Sequence, residues 1–255
     1  MTFAAVAAAV ISLLIRYPAR RVPDERGATT AVLLLAVGLY LISSTSPIGD
    51  WLFPLTGWGY LDTFVGNMCW IGGLVALLHH TLDRLAERDE QVEIFDALLR
   101  WPLTLTVPMM LAAMYVSRTL SLAPVPDIGD ARADAWIVVY RVLYYGTVLY
   151  LAGLLLRVLP IVRRDDGRSC HVSHLYMLAA ALIVVGISVR ILSYVDGLWL
   201  LHTVVPVCRA GTVVFVACGA ALSWRLKVRA AAQTQCAESA PVRWLGCDEP
   251  DPMRS

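Results

Sequence analysis

Apolar residues along this chain come in long runs, broken by short charged or Pro/Gly-rich stretches. Seven runs stand out, over residues 1–15, 28–44, 64–80, 101–117, 136–162, 175–195 and 198–226. A helix needs ~17–25 mostly apolar residues to cross ~30 Å of hydrocarbon. In lipid every backbone polar group must be satisfied within the segment, which favours helices. None of the runs alternates apolar and polar residues, so a β-barrel is excluded. The pattern predicts an all-α, polytopic membrane protein with seven transmembrane helices over residues 1–229. A polar tail over 230–255 is expected to lie in the cytosol without fixed structure.

The breaks set an orientation. Arg16, Arg20, Arg21 and Arg26 follow the first run; Arg84, Arg88 and Arg100 follow the third; Arg163, Arg164 and Arg168 follow the fifth. The tail adds Arg225, Lys227, Arg229, Arg243 and Arg254, whereas the breaks after the second and sixth runs hold no Lys or Arg. The positive-inside rule then places the N-terminus outside and the C-terminus inside. The first run is short, and its arginines follow it instead of preceding it, the reverse of a signal peptide. It reads as an uncleaved helix, or as the end of a longer one whose true start codon lies upstream.

Three breaks have character of their own. In 82–100, Leu85, Val92, Phe95 and Leu99 recur at helical spacing, which predicts an amphipathic cytosolic helix continuing from the third span. Residues 45–62 mix Pro47, Pro54, Gly49, Gly57 and Gly59 with Trp51, Phe53, Trp58 and Tyr60, and predict an outer interfacial loop. Residues 121–134 are an outer loop rich in Pro and Asp. Spans one to three and five to seven share small similarities, such as Leu14-Ile15-Arg16-Tyr17-Pro18 against Leu156-Arg157-Val158-Leu159-Pro160. They permit a parallel 3+1+3 repeat.

Composition agrees with lipid. The 255 residues are 58% hydrophobic and 16% charged, against ~45–50% and ~25% in soluble domains. Mean hydropathy is +0.64. The net charge of +1 leaves no basic footprint for nucleic acid. Lys227 is the single lysine, and the arginine bias is that of a GC-rich genome, such as an actinobacterium or one of its phages. The expected location is a bacterial inner (cytoplasmic) membrane.

Charges within spans are costly and point to function. Arg141, Arg190 and Arg209 lie progressively deeper in the outer half of spans five, six and seven. Arg209 is ten residues past Trp199, or ~15 Å along a helix. With Tyr144 and Asn67 they form a candidate outward-facing site for an anionic solute or lipid head group. Asp62 and Asp196 are the candidate charge partners, because no carboxylate lies at comparable depth within the runs.

Other chemistry is thin. The six cysteines have no CxxC pairing. Cys170, His171 and His174 lack a fourth metal ligand. No phosphate-binding loop, zinc-protease helix or hydrolase elbow occurs. The lysine that a seven-helix retinal protein needs in mid-span is absent. No metal or cofactor is expected, and an enzyme is disfavoured. The favoured reading is a small transporter. The alternatives are a sensor signalling to a cytosolic partner through 82–100 or the tail, and a phage- or prophage-encoded structural or exclusion protein.

Over Leu14–Arg88 the layout resembles a group of actinobacterial seven-helix membrane proteins labelled as transporters or associated with regulators. The stretch carries the basic turn Arg16-Tyr17-Pro18-Ala19-Arg20-Arg21, a Leu/Ala-rich helix, a Gly-containing outer segment and the exit Leu82-Asp83-Arg84-Leu85. The resemblance implies seven helices and a transport or regulator-linked role, and supplies no catalytic residues. The 3+1+3 arrangement also resembles that of SWEET and PQ-loop transporters, although no Pro-Gln pair is present.

Overall fold

The computed structural model of this chain describes residues 1–22, 25–43, 46–83, 85, 88–120, 127–165, 170–194 and 203–239. The described residues contain nine α-helices and no strand: α1 (Thr2–Ile15), α2 (Arg26–Leu41), α3 (Ile48–Thr56), α4 (Leu61–Leu82), α5 (Arg88–Phe95), α6 (Trp101–Val116), α7 (Ala135–Asp165), α8 (Cys170–Leu192) and α9 (Val204–Ser239). Each of the seven apolar runs falls on one of them.

Five helical segments are long and apolar enough to cross a membrane: Leu61–Leu82, Glu90–Val116, Ala135–Arg164, Cys170–Leu192 and Val204–Gln233. Even the shortest, at 22 residues, reaches ~33 Å at 1.5 Å per residue. The chain is accordingly a multi-pass membrane protein. Helices α1 and α2 are apolar but shorter, at 14 and 16 residues, or ~21–24 Å.

Packing within Met1–Trp224, one compact unit, relies on small residues. Lipid gives little hydrophobic drive between helices, so close backbone approach must supply the contact. Helices α2 and α4 make that approach at Gly38 and Gly66. A Cβ added to Gly38 would lie 2.8 Å from the Gly66 carbonyl oxygen. Leu35, Ala31, Leu74 and Trp70 fill the seam around them and are almost fully buried. By contrast, α6 leaves Trp101, Leu105, Met109 and Tyr115 exposed, as expected of a face turned to acyl chains.

Two expectations about the connections change. The stretch expected as an interfacial loop contains α3, which Gly57 ends in the left-handed conformation (φ 72°), its N–H donating to the Phe53 carbonyl at 2.8 Å. The helix expected to continue from the third span does not do so. Helix α4 stops at Leu82, and α5 runs through a π-helical turn, Asp96–Arg100, into α6. Val92 is exposed while Leu99 is buried. A small cavity is lined by Leu78 and Leu82 of α4, Ile94, Leu98 and Leu99, and Leu154 and Val158 of α7. Folding α5 back brings these apolar ends together, a gain that an uninterrupted helix would forfeit.

The tail also differs. Described residues 225–239 continue α9 through Ser239, beyond the expected boundary at 229. Ala230, Ala231, Ala232 and Gln233 are strong helix formers, and no proline occurs before Pro241. The remainder of the expected tail, 240–255, lies outside the described residues.

Candidate functional site

The site is built from the first turns of α7 and α9, the last turn of α8, and the connection that precedes α7. Asp134 caps α7: its Oδ1 accepts the Ile137 N–H at 2.7 Å, as an N-cap carboxylate does. Its Oδ2 accepts the hydroxyls of Ser117 (2.6 Å) and Thr119 (3.2 Å), tying the end of α6 to the start of α7. Burial pushes this carboxyl up, but the Ser117, Ile137 and Thr119 donors outweigh it and hold Asp134 below the usual carboxylate range. One turn into α7, Arg141 donates to three carbonyls of the same connection: Ile128 (2.9 Å), Gly129 (3.0 Å) and Ala131 (2.6 Å). Its guanidinium also lies 4.8 Å above the Tyr194 ring. Arg141 therefore spends its donors on holding residues 128–131 in place.

The connection so held carries two carboxylates to the deeper arginines. Asp127 Oδ2 lies 2.8 Å from Arg209 Nη1 and 3.3 Å from Arg190 Nη2. Asp130 Oδ1 lies 2.9 Å from the same Arg190 nitrogen. Asp127 Oδ1 accepts the Gly129 N–H at 2.9 Å, which closes a tight turn. A Cβ at Gly129 would overlap the Arg190 guanidinium, so any larger residue there would push that side chain aside. Burial acts to raise the Asp127 carboxyl, but Arg209 first and then Arg190 outweigh it and hold it below the usual carboxylate range. Arg141, Arg190 and Arg209 against Asp127 and Asp130 leave one excess positive charge.

A chain of hydroxyls runs beside this cluster. Asn67 Nδ2 donates to the Tyr140 hydroxyl at 2.6 Å, and the Tyr140 ring stacks on Tyr144 at 6.3 Å. The Tyr145 and Tyr194 hydroxyls are 3.3 Å apart, and Tyr194 donates to the Gly129 carbonyl at 3.2 Å.

Two cavities meet at Arg209. The wider, about 140 Å³, is lined by Thr2, Leu39, Ile42, Ser43, Asp127, Asp130, Pro206 and Arg209. The narrower, about 30 Å³, is lined by Trp70, Tyr144, Tyr145, Arg190, Cys208, Arg209, Thr212 and several aliphatic residues. Arg209 lines both cavities, Asp127 the wide one and Arg190 the narrow one. Arg209, paired with Asp127, is the residue the two linings share.

A second buried charge pair sits at the far end of α1. Arg16 is fully buried, with Nη2 2.7 Å from Glu25 Oε2, Nε 3.3 Å from Thr29 Oγ1, and Nη1 donating to the Ala220 carbonyl of α9. One turn earlier, Ser12 donates to the Ala217 carbonyl at 2.7 Å. Ala220 is eleven residues past Arg209, or ~16 Å along α9. The two charge clusters therefore hold different levels of the same helix.

The structure brings Arg190, Arg209 and Tyr144 together around one cavity, with Arg141 beside them and Asn67 reaching the cluster through Tyr140. Among the described residues the arginines meet carboxylates other than the expected Asp62. Asp62 is buried at the start of α4 against Gly49 of α3, where a Cβ would lie 2.5 Å from its Oδ2; no ion pair with an arginine is seen for it among the described residues. Asp196 lies outside the described residues. Among the described residues the carboxylates that meet the arginines are Asp127 and Asp130, which belong to a polar loop whose depth a run-by-run reading cannot assign. The signal was charge arithmetic: two buried arginines need two carboxylates, and Asp-Ile-Gly-Asp is a compact source. Arg16 is also corrected, from a solvated loop charge to a fully buried one. No protein-family model, curated protein or solved structure matches the chain.

Proposed function

We propose that this chain is a small transporter of a bacterial inner membrane, with seven spans, N-terminus outside and C-terminus inside. In this reading α1, α2 and α4 form one triplet, α7, α8 and α9 a parallel second, and α6 links them. The arginine-rich ends at 16–26, 84–100, 157–168 and 225–229 face the cytosol, and the wide cavity opens outward. An anionic solute or lipid head group enters that cavity and replaces Asp127 on Arg209.

The observation that supports the reading most is the position of Arg209 between two cavities, closed by a carboxylate from a loop and not from a helix. A loop can move away at less cost than a packed helix. When it does, Arg209 faces the wide cavity with an unpaired guanidinium, and an anion becomes the favourable replacement. Below it the cavity narrows to about 30 Å³.

Uptake into proteoliposomes containing the full chain tests this, with labelled propionate, phosphate and β-alanine as probes. Uptake of at least one probe, abolished by Arg209→Gln, is the expected result. Protein that keeps its thermal transition yet takes up none of them overturns the transporter reading.

A further inference from the structure

We infer that the solute of the wide cavity is a small zwitterion, bearing a cationic amine as well as a carboxylate. The inference rests on the reading of that cavity as an anion site and narrows the class of ligand. It follows from the charges that the cavity retains once it is occupied. Among the described residues its lining holds one guanidinium, Arg209, and two carboxylates, Asp127 and Asp130, both of which also meet Arg190. Asp127 is only 18% exposed and lies 2.8 Å from Arg209. A simple anion that took Arg209 would leave the Asp127 carboxylate only its longer, 3.3 Å contact with Arg190, which Asp130 shares, so that three negative groups would divide two guanidiniums. A ligand ammonium removes this conflict. The ligand carboxylate replaces Asp127 on Arg209, and the ligand amine takes the place of Arg209 beside Asp127. One ion pair becomes two, and the net charge of the cavity is unchanged.

The surroundings suit the same exchange. The C-terminal end of α2, at Leu39, Ile42 and Ser43, borders the cavity, and the negative end of a helix dipole favours a cation. The first turns of α9, at Pro206 and Arg209, border it too and favour an anion. Asp130, with its side chain 58% exposed, adds a second acceptor for an ammonium. Ile42 and Pro206 leave room for a short apolar link between the two charges.

Ligand binding by the full chain in nanodiscs provides the test, read as thermal stabilisation against concentration. The probes are propionate, propylamine, and the zwitterions glycine, β-alanine and γ-aminobutyrate. At least one zwitterion should bind about tenfold or more tighter than propionate, as one charge-assisted hydrogen bond is worth. Asp127→Asn should reverse the order, so that propionate binds tighter than any of the zwitterions. If propionate equals or exceeds all three in the natural chain, the zwitterion proposal is overturned while the anion site stands. If neither propionate nor any zwitterion stabilises the protein, the anion site itself falls. Propylamine binding as tightly as the zwitterions overturns both. Should Asp127→Asn not fold, the probe series on the natural chain decides alone.

Discussion

The two buried charge clusters use the same residue types and are built differently. At the Arg16 end, the partners are nine residues apart, Arg16 and Glu25 are both fully buried, and the other acceptors belong to helices or their caps. At the Arg209 end, the partners are 82 residues apart, both side chains keep about a sixth of their surface exposed, and the carboxylate comes from a connection. The first arrangement has no alternative in which its charges stay paired. The second can trade its carboxylate for water or for a ligand. A fully buried pair on rigid elements fixes α1 to α9, whereas a pair that keeps some exposure and has its carboxylate on a connection is the one placed to open. This contrast is the physical basis for placing function at Arg209 and structure at Arg16.

The contrast makes unequal demands on stability. Glu25→Ala should have the largest effect, because it leaves a fully buried guanidinium unpaired, at a cost of about 3–5 kcal/mol. A large fall in the thermal transition, followed by size-exclusion chromatography, is expected. The pair Arg16→Met with Glu25→Leu should recover most of it. A natural transition temperature for Glu25→Ala would remove the distinction between the two ends.

Asp127→Asn should cost less, about 1–3 kcal/mol, as Asp130 still faces Arg190 and water reaches the site. It should also raise the reactivity of Cys208, which lines the narrow cavity, toward a membrane-impermeant thiol reagent in a background lacking the other cysteines. Unchanged Cys208 labelling would mean that the Arg209–Asp127 pair is no barrier.

Asp134→Ala removes the cap of α7 and its tie to Ser117, for about 1 kcal/mol. Because Asp134 supports the connection without touching the arginines, Cys208 labelling should rise only slightly. A rise equal to that of Asp127→Asn would move the hinge to Asp134.

The smallest effect is the pH dependence. The folded Asp127 carboxyl titrates below its unfolded value of about 3.9. Its contribution is therefore fully present above that value and is lost as pH falls through the lower folded one. Stability should decline below about pH 4, less steeply in Asp127→Asn. Asp134, shifted in the same direction, retains part of the slope. An identical acid slope in the variant would show that Asp127 is not held by the arginines.

Much of the architecture was legible before any coordinates. The length of each apolar run and the absence of alternation are local properties, and the described part of each run is mainly helical, the backbone arrangement that apolar surroundings favour. Arg141, Arg190, Arg209 and Tyr144 could be singled out for a similar reason: a charge or hydroxyl far inside an apolar run is costly wherever the helix packs. The break between α4 and α5 was not legible, because no proline or glycine marks it. It depends on Leu82, Ile94 and Leu99 finding Leu154 and Val158 more than fifty residues away in the sequence.

Pairing, likewise, was beyond local reading. Depth along a run says how badly an arginine needs a partner, not which carboxylate reaches it. Arg16 looked like one of four loop arginines until Glu25 and the Ala220 carbonyl enclosed it. Asp127 looked like a solvated loop residue until three carbonyl bonds from Arg141 and the turn at Gly129 set it against Arg209. Hydropathy acts on each residue through its nearest neighbours in the chain, so the chain alone determines which segments enter the membrane. Ion pairing acts through space between residues far apart in the chain, so only the packed helices decide which charges meet and which of them can part.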